Sequence, residues 1–189
     1  MKEDRRRAVF LDRDGVLNAP VLVDGKPHPP TSTSRLELLP GVSAACRRLK
    51  EHGFLLIVIT NQPDIARGHA TYATVASINQ YLGELLPLDA VYMCVHDDFN
   101  NCECRKPKPG LIIDAAGAWD IDLVASVMVG DRWRDIEAGR SAGCMTVYID
   151  RGYSERAPAG FDARVPDLHG AATWILQRRP RLNEREAAP

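Results

Sequence analysis

The sequence has no continuous apolar run near the roughly 20 residues that a helix needs to cross a bilayer. Its charged start, Met1 to Arg7, is not followed by an apolar segment long enough for a signal peptide. Neither sign of charge is in excess, because 24 basic and 25 acidic side chains give a formal net charge of -1. This balance provides no electrostatic footprint for nucleic acid or for an anionic membrane. We therefore expect a cytoplasmic monomer with neither kind of partner.

The sequence lacks an even set of cysteines, because its five cysteines form an odd number that does not suit a set of disulfides. Three of them crowd into one segment, where Cys94-Val95-His96 is followed by Cys102-Glu103-Cys104. Three thiols and one imidazole suit tetrahedral zinc, and a full set of four protein ligands indicates a structural site. The alternative is three free cysteines beside a surface histidine, which is less typical of such close spacing. We expect a zinc-binding loop over 94–104.

The remaining pattern favours a single α/β domain over residues 1–178, with a loose polar tail over 179–189. Short, β-rich apolar runs, typical of strands buried on both faces, occur at Ala8–Leu11, Phe54–Ile59, Ala90–Cys94, Ser126–Val129 and Thr146–Ile149. Segments with helical periodicity separate them, at Val42–Glu51, Tyr72–Leu86, Leu111–Ala118 and Asp135–Ala142. Such alternation predicts a doubly wound, Rossmann-like parallel sheet.

The first of these apolar runs ends in two carboxylates, Asp12 and Asp14, that are separated by one residue. An aspartate at the end of a strand can attack phosphorus when a divalent cation lowers the charge repulsion. A second carboxylate nearby can protonate the leaving group and later activate water. Gly15 allows the chain to turn sharply after them. Taken alone, the pair is equally typical of a polar turn.

Polar side chains also follow the other predicted strands, and ligands of doubly wound sheets bind at the carboxyl ends of strands. Thr60-Asn61-Gln62 offers a hydroxyl and amides for phosphate oxygens, or alternatively a helix cap. Arg105 presents a planar fork and Lys106 a compact charge. Asp131 provides a carboxylate of the kind that Mg²⁺ binds. Asp135 either supports that site or simply begins a helix.

The order Asp12/Asp14, Thr60, Lys106 and Asp131, on four successive strand ends, resembles the haloacid dehalogenase-like phosphohydrolases. The resemblance spans about residues 8–148 and implies a magnesium-dependent phosphomonoesterase that acts through an aspartyl-phosphate. It implies that Asp12 is the nucleophile and Asp14 the general acid/base. Thr60 and Lys106 would hold the phosphoryl group. Magnesium would be bound by Asp12, Asp131 and the backbone carbonyl of Asp14.

The cysteine-rich loop and the Arg105-Lys106-Pro107 segment that follows it are similar to two branches of this superfamily, which act on heptose bisphosphates and on histidinol phosphate. Thr60-Asn61-Gln62 followed by Ile65-Ala66-Arg67-Gly68 favours the heptose branch. That resemblance implies a small phosphorylated metabolite as the partner. The residues expected to contact it are Asn61, Gln62, Arg105, Pro20, Val21, Leu22 and Val23.

Two features depart from the heptose pattern. Pro63-Asp64 stands where heptose enzymes usually have Ser-Gly, which removes an N–H donor and adds an acid beside the expected phosphate site. The insertion Ala19–Arg35 does not follow the expected pattern either, and it is too short to form a large cap domain. An exposed pocket with a short flap is therefore expected.

Two further functions are weaker alternatives. A polynucleotide 3′-end phosphatase shares the motif order, but a sequence pI near 6.5 and the lack of a basic stripe speak against it. An inactive, zinc-stabilised interaction module would normally have lost one of the acids or the lysine. Asp12, Asp14, Lys106 and Asp131 are all present.

Overall fold

A computed structural model describes residues 5–23 and 26–178 of the protein. Its strands are β1 (Ala8–Leu11), β2 (Val21–Val23), β3 (Lys26–His28), β4 (Leu55–Asn61), β5 (Ala90–Cys94), β6 (Val127–Gly130), β7 (Met145–Ile149) and β8 (Ala163–Val165). Its helices are α1 (Val42–Glu51), α2 (Tyr72–Leu85), α3 (Gly110–Trp119), α4 (Trp133–Ala142) and α5 (Leu168–Gln177). The predicted tail, 179–189, lies outside the described residues.

Six of the strands form one sheet in the order β5-β4-β1-β6-β7-β8, and all neighbouring pairs are parallel. β1 lies near the centre, so the chain leaves it in one direction through β4 and β5 and in the other through β6 to β8. The predicted doubly wound parallel sheet is therefore confirmed. Its strand order reverses beside β1, which is where such sheets bind ligands.

Both faces of the sheet are covered by helices, which explains why its strands are apolar without interruption. Val9 and Leu11 of β1 face the core formed with α1 and α5, whereas Phe10 faces the core formed with α3 and α4. All three side chains are fully buried. β1 is thereby fixed from both sides, so the loop that follows it leaves from a rigid support.

The predicted boundaries differ from the observed ones where tertiary contacts decide them. β4 continues to Asn61 because Thr60 and Asn61 pair with Met93 and Cys94 of β5. The prediction that a helix begins at Asp135 is wrong by two residues, since α4 begins at Trp133 and the Asp135 carboxylate caps its first turn. The pattern also missed β8 and α5. β8 is only three residues long and includes an arginine, so it has no apolar run to mark it.

The insertion after β1 forms the antiparallel β2–β3 hairpin and a one-turn 3₁₀ segment, Thr33–Arg35. The described residues contain no large cap domain, as expected. The longest described helix, α2, has 14 residues. None of the helices in the described ranges has both the length and the apolar character needed to cross a membrane.

Candidate active site

The carboxyl ends of β1, β4 and β6 meet at a cavity of about 300 Å³. Its lining includes Asp12, Asp14, Thr60, Lys106 and Asp131, which are the five residues expected to carry the chemistry. They come from four separate segments of the sequence. The structure thus brings these five side chains to one cavity, as the sequence predicts.

Three carboxylates lie together at the bottom of the cavity. Asp12, Asp131 and Asp135 each offer an oxygen, and these oxygens lie within 4.8 Å of one another. The ammonium of Lys106 lies 2.7 Å from an Asp12 oxygen and 2.6 Å from an Asp135 oxygen. It also donates to the carbonyl of Ile59, at 2.7 Å. Three carboxylates around one ammonium leave an excess of negative charge in a buried space.

Burial and the neighbouring charges shift the pKa values of Asp12, Asp131 and Lys106. Burial raises the pKa of Asp12 to about 6, against the lowering effect of Lys106. Burial, and then the charges of Asp12 and Asp135, raise the pKa of Asp131 well above its usual range. Burial alone would lower the pKa of Lys106, but the Asp12 and Asp135 carboxylates raise it above its ordinary value. The lysine is therefore charged, and a further cation beside Asp12 and Asp131 would favour their ionised forms.

Asp131 shows where that cation fits. It is 2% exposed, and neither of its oxygens makes a hydrogen bond of good geometry within the described ranges, although the Tyr153 hydroxyl lies nearby. A buried carboxylate without partners is costly unless a cation or water satisfies it. Carboxylate oxygens are the ligands that Mg²⁺ prefers. The residues present therefore fit a hard divalent cation.

The carboxylate of Asp14 lies apart from this cluster and is surrounded by N–H donors. Arg13 donates to it through Nε and Nη2, with the Nη2 contact at 2.9 Å. Asn18 Nδ2 and Gln62 Nε2 each donate to it at 2.9 Å. Asp14 can still approach a bound molecule, since it also lines the cavity.

Asn61 and Gln62 form hydrogen bonds with other residues of the site, which the sequence did not predict. Asn61 lines the cavity and clasps the backbone of Lys106, with its Oδ1 accepting from N at 3.1 Å and its Nδ2 donating to O at 3.0 Å. Gln62 is 1% exposed and donates to both Asp14 and Thr60. Gln62 was predicted to contact the substrate, but its side chain is buried beside Asp14 and is not part of the cavity lining.

The four predicted metal ligands of the cysteine-rich loop also come together. The Cys104 sulfur lies 3.3 Å from the sulfurs of Cys94 and Cys102, and these two lie 3.7 Å apart. His96 Nδ1 lies 3.3 Å from the Cys104 sulfur and 3.6 Å from that of Cys94. These separations exclude disulfides, whose sulfurs lie about 2.05 Å apart. The cluster could hold one metal ion.

The cysteine-rich loop reaches the cavity through ion pairs that the sequence did not reveal. Arg105 Nε donates to Asp98 at 2.8 Å, and Arg134 of α4 donates to the same carboxylate at 2.7 Å. Arg67 binds Asp97 through two hydrogen bonds of 2.7 and 2.8 Å. Hydrogen bonds from Arg105 and Arg134 hold the pKa of Asp98 well below its usual range. The three arginines line the cavity as one connected rim.

The flap contributes less to the cavity than expected. Pro20 lines it, and His28 and Pro29 from the other side of the hairpin join it. Val21 is half-buried and is not part of the lining. The side chains of Leu22 and Val23 lie outside the described residues.

Asp135 is the cavity residue that the sequence left most uncertain, and its carboxylate both caps α4 and contacts Lys106. One oxygen accepts from the backbone N–H of Arg132 at 3.0 Å and caps α4, while the other pairs with Lys106. Gly130 makes this approach feasible, because a Cβ there would overlap Asp135. In the sequence, this contact is indicated only by a glycine at the end of a strand and an aspartate five residues later.

Comparison with known proteins agrees with this geometry. A family model described as HAD-hydrolase-like matches residues 103–171. The D-glycero-D-manno-heptose-1,7-bisphosphate 7-phosphatase of Thermosynechococcus vestitus is 37% identical over 193 residues, which cover 90% of this chain and 95% of that protein. The D-glycero-beta-D-manno-heptose-1,7-bisphosphate 7-phosphatase of Escherichia coli K12 is 36% identical over 182 residues, which cover 89% and 87% of the two chains.

A solved structure gives the same result. The D,D-heptose 1,7-bisphosphate phosphatase from B. bronchiseptica, complexed with magnesium and phosphate, matches with a TM-score of 0.77 and 32% sequence identity. The match covers 90% of this chain and 98% of that chain. The similarity thus extends over nearly the full length of both proteins, with the cavity included.

We predict that Gly15→Ala weakens magnesium binding at least about tenfold, a loss of about 1.4 kcal/mol. Gly15 has a φ of +89°, and a Cβ there would overlap the Asp131 carboxylate. Isothermal titration with Mg²⁺ measures the effect.

The matched control is Gly143→Ala, because Gly143 has a φ of +87° but no atom within 4 Å of an added Cβ. It carries the same backbone strain, which costs about 1 kcal/mol of stability, and should bind magnesium normally. Equal magnesium affinity in the two variants would contradict the placement of Asp131 at the cation.

Proposed function

The chain belongs to the haloacid dehalogenase-like hydrolases, in the family of the D-glycero-D-manno-heptose-1,7-bisphosphate 7-phosphatases, and on this premise we propose that it removes the 7-phosphate of a heptose 1,7-bisphosphate. The observation that carries the proposal is the buried cluster of Asp12, Asp131 and Asp135 around Lys106, at the end of a ligand-sized cavity. Such a cluster suits phosphoryl transfer, which depends chiefly on positioning and charge stabilisation.

In the proposed reaction an oxygen of Asp12 attacks phosphorus, and the bond from phosphorus to the sugar oxygen breaks. Asp14 gives its proton to that departing oxygen. Water then attacks the aspartyl-phosphate and loses a proton to Asp14, while the bond between phosphorus and Asp12 breaks and phosphate leaves. The two acids are separated by one residue, yet different partners hold them: Lys106 contacts Asp12, and Arg13, Asn18 and Gln62 contact Asp14.

Lys106 and Thr60 would hold the phosphoryl group during both steps. Lys106 is kept in place by Asp135 and by the backbone clasp of Asn61. Asp12, Asp131 and the backbone carbonyl of Asp14 would hold magnesium. When bound, magnesium lowers the repulsion between the anionic nucleophile and the phosphate.

The arginine rim supports a substrate with a second phosphate. Arg67, Arg105 and Arg134 converge at the cavity, where they pair with Asp97 and Asp98. Guanidinium groups bind phosphate oxygens through paired N–H donors. We assign this rim to the phosphate that is not transferred, with Asn61 and the Pro20–Val23 segment beside the sugar.

We assign zinc to the cysteine-rich loop. A tetrahedron with zinc–sulfur bonds of about 2.3 Å has sulfur atoms about 3.8 Å apart. The sulfur separations of 3.3 to 3.7 Å are close to this value before any ion is added. Cys104 directly precedes Arg105 and Lys106, so an ion here would fix the start of the segment that supplies both cations to the cavity.

Histidinol phosphate is the second candidate substrate. Asp64 lines the cavity and would pair with a cationic substrate, whereas a heptose bisphosphate carries no cation. Arg67 lies 3.6 Å from Asp64 and partly neutralises it, which favours the heptose substrate.

We predict that Asp12→Asn lowers turnover by about 10³-fold or more, because a neutral amide cannot form the covalent intermediate. Phosphate release in the presence of magnesium measures it, with circular dichroism to show an intact fold. Asp114→Asn, on the exposed face of α3, is the control and should be fully active. A wild-type rate for Asp12→Asn would refute the covalent mechanism.

We predict that the wild-type enzyme prefers D-glycero-D-manno-heptose 1,7-bisphosphate over histidinol phosphate by more than about tenfold in kcat/KM, a difference of about 1.4 kcal/mol. Side-by-side turnover of the two compounds decides the matter. A preference for histidinol phosphate would exclude the heptose assignment while leaving the phosphatase mechanism intact.

We predict close to one zinc ion per chain by elemental analysis, and its loss in Cys102→Ala. Cys144→Ala is the control, because Cys144 is a buried thiol outside the cluster and should leave the zinc content unchanged. Thermal unfolding should show the larger loss of stability for Cys102→Ala, since metal binding contributes folding free energy. A folded, zinc-free wild-type protein after mild purification would contradict the assignment.

A further inference from the structure

Arg13 is a charged side chain with no exposed surface, and the reaction above gives it no task. Its guanidinium lies along one edge of the Asp14 carboxylate, with Nε at 3.3 and 3.2 Å from the two oxygens and Nη2 at 2.9 Å from one of them. Its remaining terminal nitrogen, Nη1, donates to Asn79 Oδ1 at 2.7 Å. Arg13 therefore connects Asp14 to a residue outside the cavity.

Asn79 is an unexpected residue at its position in α2. The buried residues of this helix are Val75, Ile78, Asn79 and Leu82, a spacing that forms one face turned to the core. An amide on such a face costs free energy unless it is hydrogen-bonded. Its acceptor oxygen is used by Arg13, and its Nδ2 contacts the sulfur of Met93 at 3.7 Å. Among the residues that the structure describes, Arg13 is thus the one that forms a short hydrogen bond with the Asn79 side chain.

We propose that Asn79 is a positioning residue for proton transfer, acting through Arg13 to fix the carboxylate of Asp14. The inference rests on the proposed function, since it takes Asp14 as the general acid/base. It goes beyond that function by giving a task to a residue on α2 that does not line the cavity.

The geometry of the guanidinium carries the argument. The group is planar and rigid, so anchoring Nη1 fixes the plane that Nε and Nη2 present to Asp14. Asn79 holds that anchor from a helix whose core face is packed. Without it, the guanidinium could rotate about the side-chain torsions of Arg13 and lose its paired contact with the carboxylate.

Proton transfer is sensitive to such a change. A general acid needs a heavy-atom distance of about 2.6–3.2 Å to the atom that it protonates. Asn18 and Gln62 also hold Asp14, each through one hydrogen bond, but only Arg13 contacts both of its oxygens. A shift of Arg13 would therefore turn the carboxylate rather than detach it.

The dependence on the leaving group separates positioning from a purely structural role. A sugar alkoxide leaves slowly unless it is protonated, whereas p-nitrophenolate leaves without a proton. Because kcat/KM reports the steps up to formation of the aspartyl-phosphate, a misplaced acid lowers it for the sugar phosphate and spares it for the aryl phosphate.

The experiment compares wild-type enzyme with Asn79→Leu, which removes the acceptor but keeps the approximate volume, and with Asn79→Asp, which keeps an acceptor oxygen. For Asn79→Leu we expect at least a tenfold loss in kcat/KM for D-glycero-D-manno-heptose 1,7-bisphosphate and less than a threefold loss for p-nitrophenyl phosphate. These limits follow from the size of general-acid effects, about 10²–10⁴-fold. Asn79→Asp should restore most of the loss.

Two further variants make the result unambiguous. Ile78→Val removes packing from the neighbouring position of the same buried face and should change both substrates equally. Should Asn79→Leu fail to fold, Asn79→Ala provides the same comparison. Equal effects on the two substrates, or no effect on either, would overturn the inference.

Asp14→Asn distinguishes failure of the inference from failure of the proposed function. If it shows the leaving-group preference and the Asn79 variants do not, Asp14 is the acid and Asn79 does not position it. If Asp14→Asn itself loses no more activity on the sugar phosphate than on the aryl phosphate, the proposed role of Asp14 fails, and the inference with it.

Discussion

The buried ammonium of Lys106 is the contact that organises the rest of the site. It lies at the point where the ends of three central strands meet, bonded to Asp12 after β1, to Ile59 in β4 and to Asp135 at the start of α4. A charge that is 3% exposed is stable only if each of its donors has a partner. The position of Lys106 therefore requires the parallel register of β1, β4 and β6. The same register places the carboxylates of Asp12, Asp131 and Asp135 together at this ammonium.

The elements that the sequence predicted are those marked by local chemistry. The apolar runs at β1 and β5 have the observed bounds, because strands buried on both faces need continuous apolar side chains. Asp12, Asp14 and Asp131 follow strand ends and Thr60 lies near the end of β4, so the sheet topology brings these four together. Lys106 lies twelve residues after β5, and the cysteine-rich loop and Asn61 bring it to them. β8 was not predicted because it is a three-residue edge strand whose pairing depends on β7 being in place. The helix that follows it, α5, was not predicted either.

The residues that were missed take their roles from distant parts of the chain. Asp97 and Asp98 resemble solvated loop acids until Arg67 and Arg134 are placed beside them by folding. Asn79 is one polar residue in a helix, and only the arrival of Arg13 from a separate element explains it. A sequence pattern gives the face of a helix to which a residue belongs, but it does not give the partner that it meets.

The different surroundings of Asp12 and Asp14 follow from the way the chain leaves β1. The backbone N–H of Asp12 still donates to the Val129 carbonyl, so Asp12 extends the sheet toward Lys106 and Asp131. The chain then turns, with Leu17 N–H donating to the Arg13 carbonyl and Gly15 at positive φ. This turn directs Asp14 toward Gln62, Asn18 and the guanidinium of Arg13.

Two chemically identical groups thereby receive opposite environments. Asp12 lies among carboxylates in a buried space that raises its pKa to about 6, whereas Asp14 lies among N–H donors that fix its direction. In the proposed reaction the nucleophile must face the phosphorus, and the acid/base must face the leaving oxygen and then the water. The turn after β1 separates these two directions within three residues, which is why a short sequence motif can specify both.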